Sequence, residues 1–177
     1  MAAALILTGA PGSGKSSVLD ALSTLLEIDG TAFGVIESEQ LARGWPWLAA
    51  SDWLPQLAAV VALQQSAGRD VFLVAATTET QLELQGVIDA LAVDRVIVVC
   101  LQAPPEVVAS RVADREPDAW PGKGRLISYA RELAQSIPAI TGVDAVLTTD
   151  GRSAVDVAAQ VRGLLQARGV LPNPRSK

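Results

Sequence analysis

Short apolar runs alternate along the chain with longer stretches in which apolar residues recur at helical spacing. The runs fall at about residues 3–8, 32–36, 71–76, 95–101 and 144–149. Each is rich in Val, Ile, Leu and Ala, and none alternates strictly with polar residues. That is the pattern of parallel strands covered on both faces. Val18, Leu19, Leu22, Leu25 and Leu26 mark one stripe of a first helix. Further helical periods run over about 54–67, 79–91, 125–137 and 154–167, and Pro104-Pro105 opens another that reaches Asp114. Ser153 and Asp156 stand at capping-box spacing, with Asp where Glu or Gln is usual, and Gly169 supplies a final stop. The tail beyond it, to Lys177, is expected to fray. The alternation of strand and helix, without internal repeats, predicts one α/β domain over residues 1–177.

Two stretches break the rhythm. Residues 44–52 carry Trp45 and Trp47, with Trp53 just beyond, and residues 116–124 hold two prolines, two glycines and Trp120. The region of about 38–68 is the expected acceptor-binding segment, and 116–124 the expected mobile lid.

Composition narrows the class. A chain of 177 residues, half of them hydrophobic, suits a single packed core. The net charge of −5, with only three lysines, disfavours tracking a phosphate backbone, so no nucleic-acid partner is expected. The first seven residues are apolar but lack a positive flank, and no apolar run approaches the ~20 residues that span a bilayer. A cytoplasmic location without a membrane partner is therefore expected. Cys100, the lone cysteine, lies within an apolar run and reads as core filler; without histidine, a His/Cys metal site is excluded.

The strongest chemical signal is Gly9-Ala10-Pro11-Gly12-Ser13-Gly14-Lys15-Ser16, a complete G-x-x-x-x-G-K-[ST] between an apolar strand and an amphipathic helix. Glycines let successive backbone N–H groups turn inward on an anion, and the helix start, with Ser17 in its first turn, adds positive potential. Lys15 reaches the terminal phosphates, and the Ser16 hydroxyl is the expected Mg²⁺ ligand. The cofactors expected are thus ATP and Mg²⁺.

With this loop after the first strand, an acidic residue closing the second and arginines flanking a lid after the fourth, the chain resembles the small P-loop kinases. These include the shikimate, gluconate and nucleoside-monophosphate kinases. Thr31-Ala32-Phe33-Gly34-Val35-Ile36-Glu37-Ser38 is also similar to the matching stretch of chloramphenicol phosphotransferases. The resemblance implies a three-layer P-loop NTPase fold, its five-stranded parallel sheet ordered 2-3-1-4-5 with helices on both faces and a short lid. It implies transfer of the γ-phosphoryl of MgATP to a hydroxyl or phosphate of a small acceptor. The alternative is a nucleotide-binding regulator or weak ATPase. Monomer and homodimer are both compatible with the sequence.

The resemblance also assigns roles. Glu37, with Glu39 beside it, stands where the family places an acceptor-binding acid that orients or deprotonates the hydroxyl. Arg111 and Arg115, four residues apart on one helix face, match arginines that clamp phosphates; Lys123 and Arg125, just past the lid's Pro121-Gly122, are weaker candidates. Asp150-Gly151-Arg152 falls where the family holds base and ribose, or is an ordinary turn into a capped helix. From the residues themselves, Trp45, Trp47 and Trp53 either stack on an aromatic acceptor or anchor an irregular segment to the core. Arg43 beside them suits an anionic group on the acceptor. The third strand runs into Thr77 and Thr78 without the Asp of a Walker B motif, which argues against a hydrolytic motor. Thr77, Thr78 and Glu79 are therefore further acceptor candidates.

Overall fold

The computed structural model describes residues 1–171; the tail beyond Leu171, expected to fray, lies outside the described residues. Five strands, β1 (Ala3–Thr8), β2 (Phe33–Glu37), β3 (Val71–Ala75), β4 (Arg95–Gln102) and β5 (Ala145–Thr148), form one all-parallel sheet. Its order is β2-β3-β1-β4-β5, as the resemblance implied. Alternate strand residues feed opposite faces. Leu5, Leu7, Leu73, Val99 and Leu101 pack under α1 (Lys15–Ile28) and α7 (Ala154–Ala167). Ala4, Ile6, Phe72, Val74 and Val98 pack under α3 (Ala50–Ser66) and α4 (Gln81–Leu91). On that second face a further cluster under α5 (Pro105–Arg115) and α6 (Lys123–Ser136) encloses Cys100. Fully buried leucines such as Leu5, Leu19 and Leu22 each contribute roughly 2 kcal/mol of transfer free energy. Among the described residues, no helix is long and apolar enough to cross a membrane.

Boundaries differ from expectation where local chemistry overrides periodicity. α3 begins at Ala50 instead of about 54 and carries Pro55 inside it. The proline removes the N–H that would bond the Ser51 carbonyl, a loss confined to the exposed first turn of the helix. A five-residue helix, α2 (Ser38–Ala42), follows β2 directly and is too short to show a period. α4 starts at Gln81, because the Thr80 side chain accepts from Glu83 N at 3.2 Å while Glu83 Oε2 accepts from Glu79 N at 2.8 Å. α6 starts at Lys123, so the connection expected to be a lid is the shorter segment 116–122. Ser153 caps α7 as expected, accepting from Asp156 N at 3.1 Å, and Gly169 ends it with φ of 68°.

Candidate functional site

The loop between β1 and α1 is shaped by Gly9 and Gly12, which admit no side chain. Gly9 has φ of 140°, and a Cβ there would lie 2.4 Å from the Leu101 carbonyl oxygen; one on Gly12 would lie 2.6 Å from that of Val108. The backbone is therefore pressed against β4 and α5, with Ser13 N donating to Ala10 O at 3.0 Å. Gly14 is the N-cap of α1, and no side chain caps the helix or places an acid in its first turn. Its opening N–H groups stay available to an anion. The Ser13 hydroxyl is buried without a hydrogen-bond partner.

Lys15 is only 9% exposed and donates to Gly9 O at 2.8 Å and Ala10 O at 3.2 Å. Burial lowers its pKa to about 8 against the attraction of Glu39 and Glu37. Ser16 Oγ donates to Glu37 Oε2 at 2.7 Å. That contact follows from topology: Glu37 ends β2 and is paired with Ala75 of β3, on the sheet edge where the loop leaves β1. A glycine cradle, an uncapped helix start, an orphaned hydroxyl and a buried ammonium together fit a polyphosphate. A hydroxyl and a carboxylate are hard oxygen donors that suit Mg²⁺. Among the described residues no group of three His, Cys, Asp or Glu gathers elsewhere into a metal cluster.

Arg111 reaches across from α5. It donates to Gly12 O at 3.2 Å and to both Oγ1 and O of Thr149 at 3.0 Å, while Thr149 Oγ1 donates to Ser13 O at 2.9 Å. One arginine thus joins the loop to the end of β5. Arg115, one turn on, pairs with Glu116 at 2.7 Å, and Lys123 draws the 116–122 connection inward through Glu116 O at 2.8 Å and Asp118 at 2.6 Å.

Three adjoining spaces result. A cavity of about 380 Å³ is lined by the phosphate-loop residues Pro11, Gly12 and Gly14 to Ser17 with Glu37, Glu39, Arg111 and Arg115. A larger hollow of about 1070 Å³ opens from it, sharing Pro11, Glu39 and Arg115 and adding Arg43, Trp47, Trp53, Thr77, Glu79, Trp120, Leu126 and Tyr129. A nook of about 230 Å³ on the other side is lined by Gly14, Ser17, Arg111, Thr149 and Arg152.

Most of the expected residues converge here, but not all. Trp45 is 98% exposed and lines none of these spaces, and Arg125 lies outside them too. Thr78 is buried, its hydroxyl 2.8 Å from that of Thr8, so it braces β1 and does not line the hollow. Gly151, at φ of 66°, makes the turn after β5, and Arg152 of the nook donates to Gln160 at 2.7 Å. Cys100 is fully buried, and burial pushes its thiol up to about 11, far from a nucleophile's range. Sequence reasoning missed Leu126, Tyr129 and Thr149. Tyr129 donates its hydroxyl to Glu79 across the hollow, and that contact, with burial as the larger cause, raises its pKa.

A model of the AAA_33 family, described as an AAA domain, matches residues 5–123. No curated protein matches the chain in sequence. Among solved structures, a sugar kinase from a Janibacter species superposes with a TM-score of 0.68 at 17% identity, over 98% of this chain and 100% of that one. The APS kinase of Mycobacterium tuberculosis, in complex with AMPPNP and APS, gives 0.66 at 20% identity, covering 93% and 98%. The shikimate kinase of Acinetobacter baumannii, in complex with shikimate, gives 0.56 at 17%, covering 97% of each chain. At these identities the likeness establishes a shared fold.

Proposed function

The chain belongs to the AAA_33 family of AAA domains, and from that premise we propose that it is an ATP-dependent small-molecule kinase. It moves the γ-phosphoryl of MgATP to a hydroxyl or phosphate of an acceptor seated in the larger hollow. The observation that carries this reading is the shared wall: phosphate cavity and hollow meet at Pro11, Glu39 and Arg115. A regulator or weak ATPase has no use for a second space of about 1070 Å³ opening on the phosphate loop. The APS kinase among the similar folds holds a nucleotide analogue and APS together, the same two-occupant requirement.

In this reading the loop from Gly9 to Ser16 holds the phosphates through its backbone N–H groups, with Lys15 as the buried cation. Ser16 and Glu37 would hold Mg²⁺, which neutralises phosphate charge when bound. Glu37 also receives the acceptor hydroxyl's proton as the new O–P bond forms, a role its carboxylate oxygens can fill from this edge of the sheet. Arg111 and Arg115 neutralise charge on the transferring group, Arg111 from a fixed position and Arg115 after release from Glu116. The nook beside Arg152 and Thr149 takes the base and ribose. On the acceptor side, Arg43, Trp47, Trp53 and Thr77 make the contacts.

The test is ADP release from MgATP across nucleosides, sugar acids, aminocyclitols and phenolic compounds. At least one acceptor is expected to raise the rate well above the acceptor-free rate; a uniform low rate across the panel would reject the kinase reading. Replacing Glu37 by Gln keeps size but removes the base. It is expected to lower kcat by about a hundredfold, while binding of metal-free ATP measured by calorimetry changes less than about threefold.

Binding should also report on Lys15. Its pKa of about 8 in the free protein must rise when a polyanion sits against it, so binding takes up a proton above that pH. MgATP affinity is expected to be constant below about pH 8 and to fall by about tenfold per pH unit above it. Calorimetry between pH 7 and 9.5 in buffers of different ionisation enthalpy checks both the slope and the proton uptake.

A further inference from the structure

The chain holds four tryptophans, one tyrosine and two phenylalanines, an aromatic content of 4%. Four of these seven, Trp47, Trp53, Trp120 and Tyr129, line the one hollow beside the phosphate cavity. They arrive from separate elements: the α2–α3 connection, the first turn of α3, the α5–α6 connection and the middle of α6. A chain this poor in aromatic residues has gathered most of them around one hollow, Trp53 and Tyr129 also packing against the neighbouring core clusters. Phe72, by contrast, is fully buried beneath the sheet.

The placement of Trp120 is built into the backbone. Its indole lies against Gly122, where an added Cβ would fall 2.5 Å from Cζ2 and 2.8 Å from Cε2. Gly122 has φ of −81°, a conformation open to any residue, so the indole and not the backbone is what excludes a side chain there. The ring is 44% exposed and lines the hollow.

The charges of the lining are largely committed to one another. Glu116 pairs with Arg115, and Glu79 accepts from Tyr129. Arg43 is the lining cation with no ion pair among the described residues, and Glu39 lies near enough to Lys15 to raise its pKa. An acceptor bearing several phosphates or carboxylates would find one free cation and several carboxylates. An aromatic ring would meet four aromatic side chains in the lining.

We propose that the acceptor is an aromatic alcohol of low net charge, its ring stacked among Trp47, Trp53, Trp120 and Tyr129 and its hydroxyl directed toward Glu37. As a statement about turnover this rests on the kinase reading; as a statement about what the hollow binds it does not. In the reaction the acceptor oxygen bonds to the γ-phosphorus, the bond from that phosphorus to the bridging oxygen of ADP breaks, and the hydroxyl proton leaves to Glu37.

The experiment is calorimetric titration in the presence of MgADP with two aromatic alcohols, indole-3-ethanol and 2-(2-naphthyl)ethanol, against two polyols, myo-inositol and gluconate. ADP release is measured with the same four compounds. The aromatic alcohols are expected to bind and the polyols not to. Trp120→Ala should weaken aromatic binding about tenfold, and Gly122→Ala, which keeps the indole but displaces it, about threefold, with MgADP binding unchanged within about twofold. Polyols binding as well as the aromatic alcohols, no binding by either aromatic alcohol, or both variants binding like the parent would overturn the proposal. Should Trp120→Ala fail to fold, Gly122→Ala decides the matter alone. Aromatic binding that depends on Trp120 but gives no ADP release upholds the assignment of the hollow and rejects the kinase reading, so the two fail separately.

Discussion

Replacing Lys15 by Met is expected to lower acceptor-dependent ADP release by about a thousandfold, the loss that follows when one preorganised cation is taken from a transferring phosphoryl group. Stability should move the other way at neutral pH. Burial holds the Lys15 ammonium at about 8 against its ordinary 10.5, so between these values the folded chain binds fewer protons than the unfolded one. Stability therefore rises with pH across that window, and below it the parent carries the whole cost of burying the charge. At about 1.4 kcal/mol per pH unit that cost is about 3 kcal/mol. Met escapes it but forfeits the hydrogen bonds to Gly9 O and Ala10 O, which offset part of the gain. Denaturant melts of both proteins at pH 7 and pH 10.5 should show the variant's advantage at the lower pH and its disappearance at the higher. Equal pH dependence in the two proteins would show that Lys15 is not the group responsible.

Replacing Gly9 by Ala is expected to abolish measurable MgATP binding and to destabilise the fold by about 3 kcal/mol. Two effects add at this position. A φ of 140° is one that residues with a Cβ rarely adopt, and the new methyl would meet the Leu101 carbonyl, a backbone atom in the buried strand β4. Gly14 makes the contrast. It too has a positive φ, 97°, but an added Cβ meets nothing nearer than the Thr149 methyl carbon at 3.8 Å. Gly14→Ala should therefore incur only the conformational part, about 1 kcal/mol, and retain weakened binding. Parallel urea melts and MgATP titrations separate the two; equal losses would show that contact with β4 is not what fixes the loop.

The strands were legible because a parallel sheet covered on both faces demands uninterrupted apolar runs, and every run became a strand within a residue or two. Helix starts were less so. The helical period placed a beginning near Leu54, while α3 starts a full turn earlier with Pro55 inside it, and α2 is too short for any period to appear. The phosphate loop announces itself by motif because its geometry leaves few residue choices. Glu37, Arg111 and Arg115 came from a resemblance in layout, and the structure brings all three to one cavity. Tyr129 escaped notice because it falls three residues after Leu126 on the inward stripe of α6, where sequence cannot tell a lining residue from a core one. Thr149 escaped because its side chain acts on the Ser13 backbone carbonyl, 136 residues away in the chain. The Trp45–Trp53 group divides: proximity in sequence kept Trp45 with the others, yet the connection turns it to solvent while Trp47 and Trp53 line the hollow.

The order of the sheet has a consequence for the chain's behaviour at high concentration. Its two rims are β2 and β5, of five and four residues, while the eight-residue β4 and six-residue β1 lie inside. A neighbouring molecule adding a strand to either rim would gain only a few backbone hydrogen bonds. At β2 it would also meet Gly34, which lacks a side chain to pack, and the carboxylate of Glu37. The longest and most apolar strands, those best able to template a fibril, are thus the ones with no free edge, and aggregation should track unfolding of the sheet, not association of the native protein.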